Sequence, residues 1–337
     1  MEKHPEGWIY SGQASDRLWS KSAIGRPMGE LGLLLSGAEV IFCHEHRHIE
    51  LPHPDWMAEA VIENTRIIDE ASIIEALRVP GNKIVLKNNL SVLGVESSHS
   101  TWAARWPSDK HPREKDPVSE IRWFHASAEL DIEDLQVWAE EVTSMNRIAE
   151  VIVVDDETSV VTYRVSIESP RGDMGDLDEA GIRNISDREF KPLANGGVII
   201  LDANIWPNER IGIPHPNGRM LDSITCELVY SDGGELLSMG SSILFDLLSR
   251  GLHCRPGFKY GTRWRCYDRP LGEEHAPWLV VHPAEAPSDW EGACLASRLA
   301  SGVGKTWLHP LQINDSWAYI SISRPPPDSR WSNPNRR

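Results

Sequence analysis

The sequence predicts an α+β protein, with a tandem internal repeat. Three observations lead there. Short stretches with a period of two alternate with stretches of helical spacing, as in RWRCY (263–267) against DIEDLQVWAEEVTSMN (131–146). Fourteen Trp and 23 Pro argue for short strands and many loops rather than a helical bundle. Sliding the chain against itself by 157 residues lays one half on the other without a gap for more than 40 residues.

Taken in order, residues 1–80 read as a small α+β domain. In GRPMGELGLLLSGAEVIFCHEHRHIELP, a Gly-Pro turn precedes an apolar strand, and Ser36 with Glu39 three residues on has the form of a capping box. MAEAVIENTRIIDEASIIEALRV follows with helical spacing. Residues 81–168 hold the first copy of the repeat, with a basic loop at 107–117 flanked by Arg105 and carrying Lys110, Arg113 and Lys115. Residues 169–240 begin as a Gly/Pro/Asp-rich linker and continue through the apolar runs GGVIILDANIW and SITCELVY, which look like an altered version of the first domain. Residues 241–324 hold the second copy, and 325–337 read as a disordered tail.

Within the repeat, IRWFHA (121–126) falls on WLVVHP (278–283), and the helical DIEDLQVWAEEVTSMN sets Trp138 over Leu295. VTYRVS (161–166) falls on AYISIS (318–323). Upstream, STWAARW (100–106) meets GTRWRCY (261–267) at an offset of 161, so the first copy has four extra loop residues. The second copy presents Tyr267, His275 and Lys305 where this alignment gives the first Trp106, Val118 and Ile148.

The most informative stretch is GFKYGTRWRCYDRPLGEEH (257–275). Alternation puts Trp264 and Cys266 on one side, and Arg263, Arg265 and Tyr267 on the other. PLGEE reads as a loop that brings His275 back toward Tyr267. Lys305 closes the helix-like SDWEGACLASRLASGVGK before a last strand. Over residues 240–324 this order and spacing resembles the catalytic domain of archaeal tRNA-splicing endonucleases, and FDLLSRGLHCRPG resembles that family's helix and R-G-aromatic turn.

The resemblance implies a fold, a reaction and an assembly. Each unit would be a small amino-terminal α/β domain followed by a mixed-sheet domain with flanking helices. The substrate would be intron-containing precursor tRNA, cut at bulge–helix–bulge junctions to give 2′,3′-cyclic phosphate and 5′-hydroxyl ends. No cofactor or metal is expected. The catalytic residues carried over are Tyr267 as base, His275 as acid and Lys305 as the cation beside the transition state. An imidazole suits the acid because its ordinary pKa is about 6.5; a phenol, near ~10, needs cations to act as a base. Arg298 matches a family arginine that stacks on a bulged base, Arg263 and Arg265 are candidate RNA contacts, and Arg324 is a candidate second clamp. The first copy would be a degenerate unit kept for assembly. The family works with four units, so two such chains imply a homodimer, with Asp155, Asp156 and Glu157 as a docking loop.

Composition bounds the alternatives. Net charge is −16, but residues 241–324 carry nine Lys/Arg against eight Asp/Glu, and 255–269 hold five basic residues against Asp268 alone. Five unpaired Cys (43, 226, 254, 266, 294) and an amino terminus with no apolar core lead to the expectation of a reduced, cytoplasmic protein, neither secreted nor membrane-bound. SGVGKT (301–306) lacks the first Gly of a phosphate loop. CHEHRH (43–48) would present His44, His46 and His48 on one face of a strand, leaving a metal hydrolase open as another reading. Tyr260, His253 and His282 are rivals for the triad. A non-catalytic RNA-binding or assembly subunit is the remaining alternative.

Overall fold

The computed structural model describes residues 1–175, 177, 179–231 and 236–325; the expected tail thus lies outside the described residues from 326 on. The chain mixes helices and sheets and divides into two compact units, chiefly Met1–Ser166 and Ile167–Ser323, with Ser288–Ala293 grouped with the first.

The first unit begins with β1 (Glu2–His4), β2 (Gly7–Tyr10), α1 (Ser15–Ser22), β3 (Arg26–Pro27) and β4 (Leu33–Leu35), giving an antiparallel sheet in the order β1-β2-β4-β3. Then α2 (Gly37–Arg47) starts at the expected box: the Ser36 hydroxyl accepts from the Glu39 N–H, and Glu39 accepts from the Ser36 N–H. Glu39 is buried and also accepts from the Gly25 N–H at 2.9 Å, so this cap fixes a loop as well as a helix. The long helical stretch breaks at Asn64–Arg66 into α3 (Trp56–Glu63) and α4 (Ile67–Arg78). Trp19, Phe42, Trp56 and Trp106 meet in one core.

CHEHRH is helix, not strand, up to Arg47, and this overturns the alternating face of histidines. His44 contacts the Ile49 carbonyl, His46 contacts Glu75 at 3.0 Å, and His48 takes a left-handed φ of 56° at the helix end. Residues two apart on a helix point about 200° apart, so His46 points away from His44 and the single histidine face is lost.

The rest of this unit is β5 (Lys83–Leu86), α5 (Lys87–Leu90), β6 (Ala103–Trp106), β7 (Ser119–His125), α6 (Ile132–Ser144), β8 (Ile148–Val154) and β9 (Val160–Glu168). The strands run β5-β6-β7-β8-β9, antiparallel except for β7–β8. Within it, Glu120 and Glu150 are fully buried, paired with Arg147 (2.7 Å) and Arg105 (2.6 Å). Asp155, Asp156 and Glu157 form the β8–β9 turn, where Asp155 accepts from the N–H groups of Glu157 and Ser159.

The second unit opens with segment 168–175, bonded by Gly172 N–H to the Arg250 carbonyl and by Met174 N–H to that of Gly251. It continues with α7 (Glu179–Ser186), β10 (Lys191–Pro192), β11 (Val198–Ile200), β12 (Ile213–His215), β13 (Gly218–Leu221), α8 (Ser223–Tyr230) and α9 (Met239–Ser249). The small sheet runs β10-β11-β13-β12, antiparallel throughout. SITCELVY is thus the helix α8, capped by Asp222.

After α9 the chain turns at Gly251, whose φ of +75° suits glycine; a Cβ there would also lie 2.4 Å from the Gly172 carbonyl oxygen. There follow β14 (His253–Pro256), β15 (Trp264–Tyr267), β16 (Trp278–Val280), α10 (Trp290–Gly302), β17 (Thr306–Ile313) and β18 (Ser316–Ser323). Their order is β14-β15-β16-β17-β18, antiparallel except for β16–β17. Trp264 and Cys266 pack into a core with Leu244, Leu247, Val280 and Tyr319. α9 is tied to β18 through Asp246, which accepts from the Tyr319 hydroxyl and from Arg250 Nε, each at 2.6 Å.

Backbone register corrects the sequence alignment of the two halves by one or two residues. Trp106 stands opposite Lys83, and Tyr267 opposite His253, so those two positions do correspond. Ile148 N–H bonds the Val118 carbonyl, whereas Thr306 N–H bonds that of Pro277. By this register Ile148 aligns with Thr306, and Arg147, rather than Ile148, immediately precedes β8 as Lys305 immediately precedes β17. Val118 matches Pro277 rather than His275. The β6–β7 loop (107–118) is two residues longer than the β15–β16 loop (268–277), where the offsets of the sequence alignment had implied four.

Candidate active site

β15 carries the expected two faces over four residues only: Trp264 and Cys266 buried, Arg265 and Tyr267 half-buried. FKY (258–260) is instead a 3₁₀ turn, so Tyr260 precedes the strand rather than opening it. The next loop, from Asp268 to Pro277, holds Gly272 at φ +100° and bridges Leu271 to Glu274. It returns His275 to the cavity beside Tyr267. That cavity has a volume of about 740 Å³, and Arg255, Arg265, Tyr267, Glu273, Glu274 and His275 line it. Among the described residues neither the Tyr267 hydroxyl nor the His275 ring has a hydrogen-bond partner.

Lys305 is not the last residue of a helix. α10 ends at Gly302, the chain reverses through Gly304 at φ +67°, and Lys305 lies just before β17. Arg298 lies on α10 and Lys305 beyond its end, so the two do not sit on one helical face. Parallel pairing of β17 with β16 nonetheless brings Lys305 to the same end of the sheet as His275. Its ammonium donates to the Ala276 carbonyl at 2.5 Å, one residue past His275, and lies 5.7 Å from the Tyr260 ring centre. The N–H groups of Val303, Gly304 and Lys305 are bonded to the Ala300 and Ser301 carbonyls, so SGVGKT closes a helix and leaves no phosphate cradle.

The arginines separate. Arg265 lines the cavity, its guanidinium carbon 5.7 Å from the Tyr267 ring centre. Arg263 turns away toward the Asp222 carboxylate at 3.8 Å. Arg298 is exposed on α10, and Arg324 is exposed beyond β18. Of the rivals, His282 caps the next turn by accepting from the Ala284 N–H. His253 is buried opposite Tyr267, with its ring centroid 6.4 Å from that of the phenol. Burial and the neighbouring Arg255 push the pKa of His253 down to about 3, so it stays neutral. Arg255 is the wall residue that motif reading missed; its only sequence signal was membership of the basic cluster at 255–269.

Residues 242–315 match the family described as tRNA intron endonuclease, catalytic C-terminal domain. This region belongs to the tRNA intron endonuclease catalytic family. Proteins called tRNA-splicing endonuclease are similar to the chain more widely. The one from Methanococcoides burtonii is 22% identical across 93% of this chain and 95% of its own length. The one from Thermoplasma volcanium is 31% identical across 51% of this chain and 53% of its own, and that from Picrophilus torridus 28% across 51% and 55%. The chain thus matches about half the length of the last two. The cavity, Tyr267, His275 and Lys305 all fall inside the segment matched to the endonuclease family.

For a metal, Glu45, His46 and Glu75 are the described His, Cys, Asp and Glu side chains whose donor atoms come within 4.8 Å of one another. They lie on α2 and α4, and the His46–Glu75 contact already accounts for their approach. No helix among the described residues is long and apolar enough to cross a membrane.

Proposed function

We propose that the chain is a tRNA-splicing endonuclease that excises introns from precursor tRNA at bulge–helix–bulge junctions by attack of a 2′-hydroxyl. One observation carries the reading: a phenol and an imidazole with no hydrogen-bond partner among the described residues share one cavity, and an ammonium is fixed to the carbonyl one residue past the imidazole. Tyr267 takes the proton from the 2′-hydroxyl. The 2′-oxygen then bonds to phosphorus while the bond to the 5′-oxygen breaks. His275 protonates the departing 5′-oxygen, and Lys305 stabilises charge gathering on the non-bridging oxygens. The products are a 2′,3′-cyclic phosphate and a 5′-hydroxyl. This chemistry uses no metal. Arg298 and Arg324 are the proposed base contacts, and both are exposed as such a role requires.

The two halves are read as a duplicated unit whose first copy no longer cleaves. In support, each half has a small antiparallel sheet whose first-to-fourth strands are ordered first-second-fourth-third, and a five-stranded sheet with its one parallel pair at the same step. Trp106, fully buried, stands where the second half has Tyr267. Arg147, where the second half has Lys305, is bound to buried Glu120. On this reading two chains form the working assembly, with Asp155, Asp156 and Glu157 as the docking turn; Asp156 is 97% exposed.

Incubating the purified chain with an intron-containing precursor tRNA in EDTA tests the reaction. Expected are excised intron and exon halves bearing cyclic phosphate and 5′-hydroxyl ends. Bound but uncut RNA would instead make the chain an assembly subunit, and cutting abolished by the chelator would remove the metal-free mechanism.

A further inference from the structure

Two arginines stand in the wall behind Tyr267, and the carboxylates lining the same cavity, Glu273 and Glu274, form no ion pair with either among the described residues; Glu274 lies 3.8 Å from Arg269 instead. Arg255 on β14 and Arg265 on β15 stand directly opposite each other, and both line the cavity. Among the described residues neither meets a carboxylate. Arg255 gives its guanidinium to backbone carbonyls, Gly212 at 2.7 Å and Glu209 at 3.3 Å. Arg265 Nε is buried with no acceptor. Arg219 behind them is paired with the Glu209 carboxylate at 2.7 Å, yet its Nη1 is also buried without an acceptor.

His253 cannot help, since it accepts no proton in this setting and its own Nε2 lacks a partner. Burial, and after it the field of Arg219, hold the pKa of Arg255 down at about 10. A desolvated guanidinium beside an open cavity is costly unless an anion completes it. Two guanidinium groups lining one cavity suit the non-bridging oxygens of a phosphate.

We propose that Arg255 and Arg265 form a subsite for an RNA backbone phosphate adjacent to the one that is cut. The inference rests on the endonuclease reading. It makes β14, and the β12 end at Gly212 that holds Arg255, part of substrate recognition. The subsite fixes the strand next to Tyr267 and leaves the reacting phosphate to His275 and Lys305. The cavity volume of about 740 Å³ leaves room for more than one phosphate group.

The test is binding of a bulge–helix–bulge RNA carrying a 2′-deoxy nucleotide at the cut position, which cannot react, measured by anisotropy over a range of KCl concentrations. Arg265→Ala and Arg255→Ala should each weaken binding about tenfold and reduce the salt slope by about 0.7–0.9. Arg255→Lys, which keeps the charge, should keep the slope; it and Arg265→Ala serve if Arg255→Ala fails to fold. Inorganic phosphate should compete with RNA on the wild type and lose that effect on the double alanine variant. Variants that melt like the wild type and keep its affinity and slope would overturn the subsite, as would undiminished phosphate competition. A wild type that binds no such RNA would overturn the endonuclease reading instead.

Discussion

His275 sits on a loop, exposed and with no hydrogen bond to the protein, so its loss should cost chemistry and little else. His275→Ala is expected to lower the single-turnover cleavage rate by at least about 100-fold, the usual worth of a positioned acid, while RNA affinity and melting temperature stay within error. Normal cleavage by that variant would remove the assigned acid. His309 makes a different kind of prediction. It is buried on β17 with Nδ1 unpartnered, and burial pushes its pKa down to about 4, against an ordinary value near ~6.5. The unfolded chain therefore binds the extra proton first. The stability this histidine contributes is complete above about pH 6.5 and is lost as pH falls through 4. Urea midpoints should decline across that window, and His309→Gln should flatten the decline; an unchanged slope in the variant would show that other groups set it.

At the scale of elements, the capping box of α2 joins local and long-range structure, because Glu39 answers Ser36 and Gly25 together. Ser36→Ala should cost about 1 kcal/mol in a denaturant titration, with Ser36→Thr restoring most of it. The ion pairs under β7 and β8 behave otherwise. Glu120 and Glu150 are fully buried, so removing one partner strands a charge. Arg147→Ala should destabilise the first unit by about 3–5 kcal/mol, read as an early transition in thermal melting, and a shift below 1 kcal/mol would mean that Glu120 is satisfied by its other contacts. These two carboxylates went unnoticed in the sequence, because strand alternation sorts residues by face and says nothing of which face a neighbouring helix will seal.

On the scale of the whole molecule, duplication and self-assembly are one hypothesis. Light scattering at micromolar concentration should give twice the 37.9 kDa of the chain. Asp156→Asn with Glu157→Gln should shift that mass toward one chain, since Asp155 holds the turn while Glu157 is exposed and the Asp156 side chain, 3.4 Å from His125 Nε2, is still 97% exposed to a partner. A dimer indifferent to both substitutions would take the docking role from this turn.

What the sequence settled by itself was local: the α+β class, the cap at Ser36, the two faces of β15, and a family resemblance carried by the order Tyr267, His275, Lys305. Those features depend on residues a few positions apart, where backbone periodicity and side-chain type suffice. Only the tertiary structure decided that CHEHRH is helical, that Lys305 follows a turn, that Arg147 immediately precedes β8 as Lys305 precedes β17, and that Arg255 faces Arg265 across a strand pair. The first two rest on short-range hydrogen bonds that residue type alone did not reveal; the last two are fixed by register between segments distant in the chain, where a shift of a single residue reverses the face and leaves the spacing of the sequence unchanged.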